Sequence, residues 1–101
     1  MMKLCKIAGG ALPDAGAFAF SDRTVQGARL GRAGDSLYIF SPRRFKLFAE
    51  GRDEVVIVRG EGHIKWARGE LPFRAGEHIL AEECGEYEIN GDCEFAVLRN
   101  R

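Results

Sequence analysis

The sequence predicts an all-β domain, a small sandwich or barrel with little helix. Turn signals recur at short intervals in the second half, at residues 60–62, 67–70, 74–77 and 90–92, and the runs between them are apolar or alternating and too short for helices. No window of a dozen residues sustains the three-and-four apolar spacing of a helix, and Gly or Pro interrupts each candidate. Taken in order, residues 37–40 form a β run closed by Ser41-Pro42, and residues 45–49 form another closed by Glu50-Gly51-Arg52. Residues 55–59, 63–66, 71–73, 78–81, 86–89 and 93–98 supply the remaining strands. The opening third, with GGALPDAGAFAF, is compatible with strand, coil or a short helical turn.

A chain of 101 residues with 15 basic and 15 acidic groups fits one domain, read here as a barrel core over 35–101 preceded by strands or an arm over 1–34. The charges divide unevenly. Residues 1–53 carry nine basic and five acidic groups (+4), and residues 54–101 carry six and ten (−4). Only Arg43, Arg44 and Lys46 cluster, which is a solvated strand edge more than a nucleic-acid surface. Three cysteines without CxxC spacing indicate reduced thiols, and no apolar run reaches membrane-spanning length. The expected location is the cytoplasm, with neither membrane nor nucleic acid as partner.

The end of the chain invites a hairpin. A two-residue Asn90-Gly91 turn would place Tyr87 and Ile89 on the face of Asp92 and Glu94, which the apolar pattern forbids. A three-residue loop with Gly91 left-handed pairs Tyr87 with Cys93 instead. That sets Tyr87, Cys93, Phe95 and Val97 on one face, and Glu86, Glu88 and Glu94 on the other.

Two stretches, VVIVRGEGHI and GEYEINGDCEF, resemble the C-terminal cupin domain of class I mannose-6-phosphate isomerases, the first as a strand, Gly-x-Gly hairpin and strand, the second as the closing strand pair. The likeness covers the last half to two-thirds of the chain and implies a jelly-roll (cupin, double-stranded β-helix) barrel. It also implies the non-catalytic end of those enzymes, whose zinc and sugar-phosphate chemistry belong to the N-terminal part.

Metal-binding cupins converge a His-x-His pair, a Glu and a later His inside the barrel. By count from Gly60, those places hold Leu47 and Ala49, Asp53, and Tyr87, so neither a metal nor another cofactor is expected. His63 and His78 read as solvated turn neighbours, Glu86 and Glu88 as an outer face, and Cys93 as a core hydrophobe. Cys84, beside Glu82 and Glu83, is a poor nucleophile because negative neighbours oppose the thiolate. The glycines at 27, 31 and 34 read as turns, since no Gly-Lys-Ser/Thr follows. Trp66 and Tyr87, with Leu47, are the candidate lining of a ligand pocket, weighed against plain core filling. No catalytic residue is assigned.

Three functional readings follow: a metal-free binding or assembly module linked to sugar-phosphate metabolism, a small metal-independent isomerase or epimerase using Tyr87 and a His, and a structural or regulatory homo-oligomer. A homodimer is expected from apolar groups on both strand faces. With Leu37, Ile39, Phe45, Leu47 and Ala49 inward, Tyr38, Phe40 and Phe48 point outward and need either a second copy or the N-terminal Phe18 and Phe20 to cover them.

Overall fold

The computed structural model describes residues 2–99. They form β1 (Lys3–Ile7), a 3-10 turn (Ala15–Ala17), β2 (Ala19–Val25), β3 (Ala28–Ala33), β4 (Ser36–Ser41), β5 (Arg44–Ala49), β6 (Arg52–Trp66), β7 (Gly69–Arg74), β8 (His78–Glu82), β9 (Gly85–Asn90) and β10 (Cys93–Arg99). The single turn of 3-10 helix is the only helical element among the described residues, and no helix there is long and apolar enough to cross a membrane. The larger sheet runs β1-β8-β6-β10-β4-β3-β2, and the smaller runs β5-β9-β6-β7, so β6 belongs to both.

One core lies between them. Leu37, Ile39, Val55, Ile57, Ile79, Phe95 and Val97 from the larger sheet meet Phe45, Leu47, Ile64, Tyr87 and Ile89 from the smaller. Phe45 and Phe95 touch edge to face across the gap, with ring centroids 6.3 Å apart. This is the all-β barrel that the strand rhythm predicts, and Leu37, Ile39, Phe45, Leu47, Ala49 and Cys93 face inward as alternation requires.

Two expected turns are absent. Residues 60–62 do not form a hairpin: β6 continues through them as one fifteen-residue strand. Its inward positions are 53, 55 and 57 in the larger sheet but 64 and 66 in the smaller. A bulge causes the switch, because Glu94 faces Arg59 while Phe95 faces Ile57, which leaves Val58 unpaired with β10. The sequence shows this parity break as an interruption, and glycine makes it resemble a turn.

Residues 90–92 likewise do not close a hairpin. Tyr87 pairs with Leu47 and Trp66, while Cys93 pairs with Gly60 and Ser41, so the chain leaves the smaller sheet at Asn90 and enters the larger at Cys93. The face assignment survives although the pairing does not, because Tyr87, Cys93, Phe95 and Val97 all enter the core. Where β6 and this segment cross, their backbones nearly touch. A Cβ on Gly62 would lie 1.9 Å from the Asn90 carbonyl oxygen, and one on Gly91 would lie 2.5 Å from that of Glu61. Gly60 (φ 89°) and Gly91 (φ 141°) also hold backbone that side chains resist.

The opening third is part of the fold. β1 pairs with β8 at one edge of the larger sheet, and β2 lies at the other. Residues 8–18 must therefore cross six inter-strand gaps, roughly 29 Å, which eleven residues reaching at most about 38 Å can span. This strap touches the sheet at both ends: the His78 ring occupies the space of a Gly9 side chain, and Phe18 meets Tyr38 at 5.3 Å between centroids. Phe20 follows, packing on Tyr38 and Phe40 and over Gly31. Tyr38, Val56, Leu80 and Ala96 are buried beneath although they alternate with core positions.

Two expectations change with this strap. Gly31 is a mid-strand residue that leaves room for the Phe20 ring, whereas Gly27 and Gly34 are in turns, with φ of 77° and 61°. Of the outward aromatic set Tyr38, Phe40 and Phe48, the chain's own Phe18 and Phe20 pack on the first two, and Phe48 remains 58% exposed.

The crossing generates a stability prediction. Gly62→Ala should lower the unfolding free energy by about 3 kcal/mol, because backbone must move to admit the methyl group. Gly51→Ala, with nothing within 4 Å of its added carbon, should stay within about 0.5 kcal/mol of wild type. Urea unfolding of both variants checks the pair, and equal effects would contradict the steric argument.

Candidate functional site

The Tyr87 row carries the chemistry. Register places Leu47, Tyr87 and Trp66 side by side on β5, β9 and β6, as three adjacent inward positions of the smaller sheet. The Tyr87 ring is 1% exposed, and its hydroxyl crosses to the larger sheet to donate to Asp53 Oδ2 at 3.0 Å. Asp53 is fully buried. Arg99 clamps it with a two-pronged contact, Nε to Oδ1 at 2.9 Å and Nη2 to Oδ2 at 3.0 Å, and Nη2 also donates to the Phe48 carbonyl at 3.3 Å.

This network has one chemical consequence above others. Both Asp53 oxygens are engaged by hydrogen-bond donors, and burial followed by the Asp53 charge pushes the Tyr87 hydroxyl well above its ordinary pKa. Burial also opposes the Arg99 charge, but the bonds and charge of Asp53 outweigh it, and the net shift is upward. Tyr87 and Arg99 therefore both hold their protons near neutrality.

A metal fits poorly here. The places read as ligand positions hold Leu47 and Ala49, which have no donor atoms, and the nearby carboxylate already accepts from a guanidinium. The described residues contain no group of three or more His, Cys, Asp or Glu arranged to hold a metal ion.

The other candidates lie apart from this row. His63 is exposed, but His78 is buried, contrary to its reading as a solvated turn neighbour, with Nδ1 2.8 Å from Glu54 Oε2 and the ring against Gly9. The strap, invisible in the local pattern, is what covers it. Cys84 is buried, and burial, ahead of the Asp53 charge, raises its pKa, so the direction expected from Glu82 and Glu83 holds for a different reason. Burial likewise raises Cys93 to about 11. Glu86 is exposed and pairs with Lys46 across the outer face.

Trp66 and Tyr87 do meet at an opening. Together with Lys65, Cys84, Glu86 and Glu88 they line a shallow, mostly apolar cleft of about 400 Å³. Leu47 does not reach it and fills the core beside Tyr87. Sequence reasoning missed Arg99, although the signal was present: it continues the inward parity of Cys93, Phe95 and Val97, and an inward Arg requires a carboxylate.

Three variants test the network. Arg99→Ala strands a buried carboxylate and should cost about 3–5 kcal/mol, whereas Tyr87→Phe removes one hydrogen bond and should cost about 1–2 kcal/mol. The folded state keeps the Tyr87 and Cys93 protons at pH values where the unfolded chain, with ordinary pKa values near 10 and 9, releases them. Their contribution is complete below pH 9 and is lost as pH rises through the folded values. The urea midpoint should therefore fall between pH 9 and 11, and fall less in Tyr87→Phe and in Cys93→Ala.

The sequence matches no protein-family pattern and no curated protein. The structure is similar to that of mannose 6-phosphate isomerase from Bacillus subtilis, with a TM-score of 0.60 and 15% identity over 90% of this chain and 29% of that one. It is also similar to mannose 6-phosphate isomerase from Salmonella typhimurium, solved with its substrate (f6p) and a zinc atom, with a TM-score of 0.59 and 12% identity over 78% of this chain and 22% of that one. The chain spans less than a third of either enzyme. At these identities the likeness is one of fold, and the fold is that of a small cupin-like barrel, as the two stretches in the second half imply.

Proposed function

We propose that this domain is a metal-free, non-catalytic cupin module that binds a small sugar-phosphate or related ligand, standing in place of the C-terminal part of the isomerases it resembles. One observation supports the reading: Tyr87 and Asp53, two of the residues counted at the cupin ligand places, are locked inside the barrel to each other and to Arg99. The recognition that remains lies at the barrel's opening, where Trp66 offers a flat apolar surface for a sugar face. A small isomerase would need its proton-transfer groups together, and Tyr87 on β9 points into the core while buried His78 on β8 is bonded to Glu54 outside it.

Trp66 is the chain's only tryptophan, so its fluorescence reports the cleft directly. Titration with hexose phosphates should give a saturable change, and Trp66→Phe, followed by calorimetry, should weaken binding about tenfold. The isolated chain should show no isomerase turnover, with or without added zinc, and should purify without stoichiometric metal. Turnover that survives Trp66→Phe but is abolished by Tyr87→Phe would overturn the module reading in favour of the enzyme. Exposed Phe48 favours self-association as an additional property. Light scattering should then give twice the 11.2 kDa chain mass, reverting to one chain in Phe48→Ser.

A further inference from the structure

The sequence shows Arg43, Arg44 and Lys46 as a solvated strand edge, and the fold converts that edge into a walled cleft. β5 pairs with β9 alone, so its second side faces outward. The β2–β3 turn arrives there from the other sheet: Val25 pairs with Ala28, and Gln26 and Gly27 both take positive φ, 53° and 77°. This strained turn aims the Gln26 carboxamide at the β5 backbone. Gln26 Nε2 donates to the Lys46 carbonyl at 3.0 Å, and the Lys46 amide donates to Gln26 Oε1 at 2.8 Å. One residue from the strand's start, the Gly91 amide donates to the Arg43 carbonyl at 2.6 Å.

The result is a cleft of about 540 Å³ lined by Gln26, Arg43, Arg44, Lys46 and Asn90, with no acidic residue in its wall. Among the described residues neither Arg43 nor Arg44 has a carboxylate at ion-pair distance, and Lys46 has only a loose exposed contact with Glu86 at 3.7 Å. Three cations therefore share a small volume on a chain whose formal charge is zero, with their backbone held at two points.

We infer that this cleft is a binding site for a small phosphoryl-bearing anion. Arginine guanidinium groups match phosphoryl oxygens in two-pronged geometry, and the neighbouring Asn90 adds a neutral donor. Two competing occupants fit less well. An added β-strand would need the outward amide and carbonyl of Lys46, and the Gln26 side chain already takes both. Nucleic acid calls for a longer basic track than three cations, and this one is bordered by Glu86 and Glu88 on β9. Gln26 acts as a positioning residue, fixing the cationic strand without carrying charge. The inference goes beyond the Trp66 cleft and does not rest on it.

Inorganic pyrophosphate is the probe, titrated into the intact chain at low salt and followed by backbone amide NMR. Saturable shifts should concentrate at Gln26, Arg43 to Lys46 and Asn90, and they should weaken about tenfold in Arg44→Glu. Gln26→Ala leaves the net charge unchanged and should still weaken binding several-fold, a loss that charge counting alone does not give. Both residues are exposed, and unchanged amide shifts elsewhere establish that the variants are folded. Shifts scattered over all exposed Lys and Arg, no saturation, or affinity unaltered in Arg44→Glu would overturn the site. So would tighter binding of duplex DNA through the same residues. A hexose phosphate and the unphosphorylated hexose separate this site from the other: a hexose that perturbs only Trp66, with pyrophosphate silent, sinks the anion site and leaves the module reading intact. Pyrophosphate at Arg44 with no sugar response at Trp66 does the reverse.

Discussion

One strand shared by two sheets dictates most of this structure. β6 contributes its first half to the larger sheet and its second half to the smaller, so the chain must bend without losing its hydrogen-bond ladder. It does so where the β9–β10 segment crosses in the opposite sense, and the two backbones approach closely enough that glycine is required on both. Closing the barrel therefore requires Gly60, Gly62 and Gly91, where a side chain has no room. The motifs VVIVRGEGHI and GEYEINGDCEF, separated in sequence, are the two halves of that crossing.

The crossing organises the core, and the Asp53 network closes one end of it. Tyr87 stands in the smaller sheet and Asp53 and Arg99 in the larger, so their bonds tie the layers together across the gap. A buried ion pair of this kind contributes little net stability, because desolvation of both charges offsets most of their attraction. Arg99 is held at three contacts there, two to Asp53 and one to the Phe48 carbonyl, at the end of β10. The same network leaves Tyr87, Asp53 and Arg99 engaged with one another inside the barrel.

Neither proposed cleft is a property of a single strand. Trp66 and Tyr87 become neighbours because β6 and β9 pair after the crossing. Gln26 reaches Lys46 because the strap carries the chain to the far edge of the larger sheet before β2 begins, which brings the β2–β3 turn beside β5. The strap thus has two consequences. It covers the outer apolar face over Tyr38 and Val56, and it delivers the residue that holds the cationic edge.

What the sequence determined by itself was the strand content and the face of each side chain, since both follow from local alternation. The inward placement of Leu37, Phe45, Leu47, Tyr87, Cys93 and Phe95 was legible in that way. The resemblance carried by the second half was enough for the barrel fold. Partnership between strands was not legible, because alternation says which way a side chain points and nothing about which strand lies beside it. So Tyr87 was read against Cys93 when its neighbours are Leu47 and Trp66, and the glycines at 60–62 were read as a turn when they permit a crossing. The burial of His78 and the engagement of Asp53 with Arg99 were decided only in three dimensions. Each depends on a segment distant in sequence, the strap in one case and the end of β10 in the other, whose position is set by sheet order and not by any local signal.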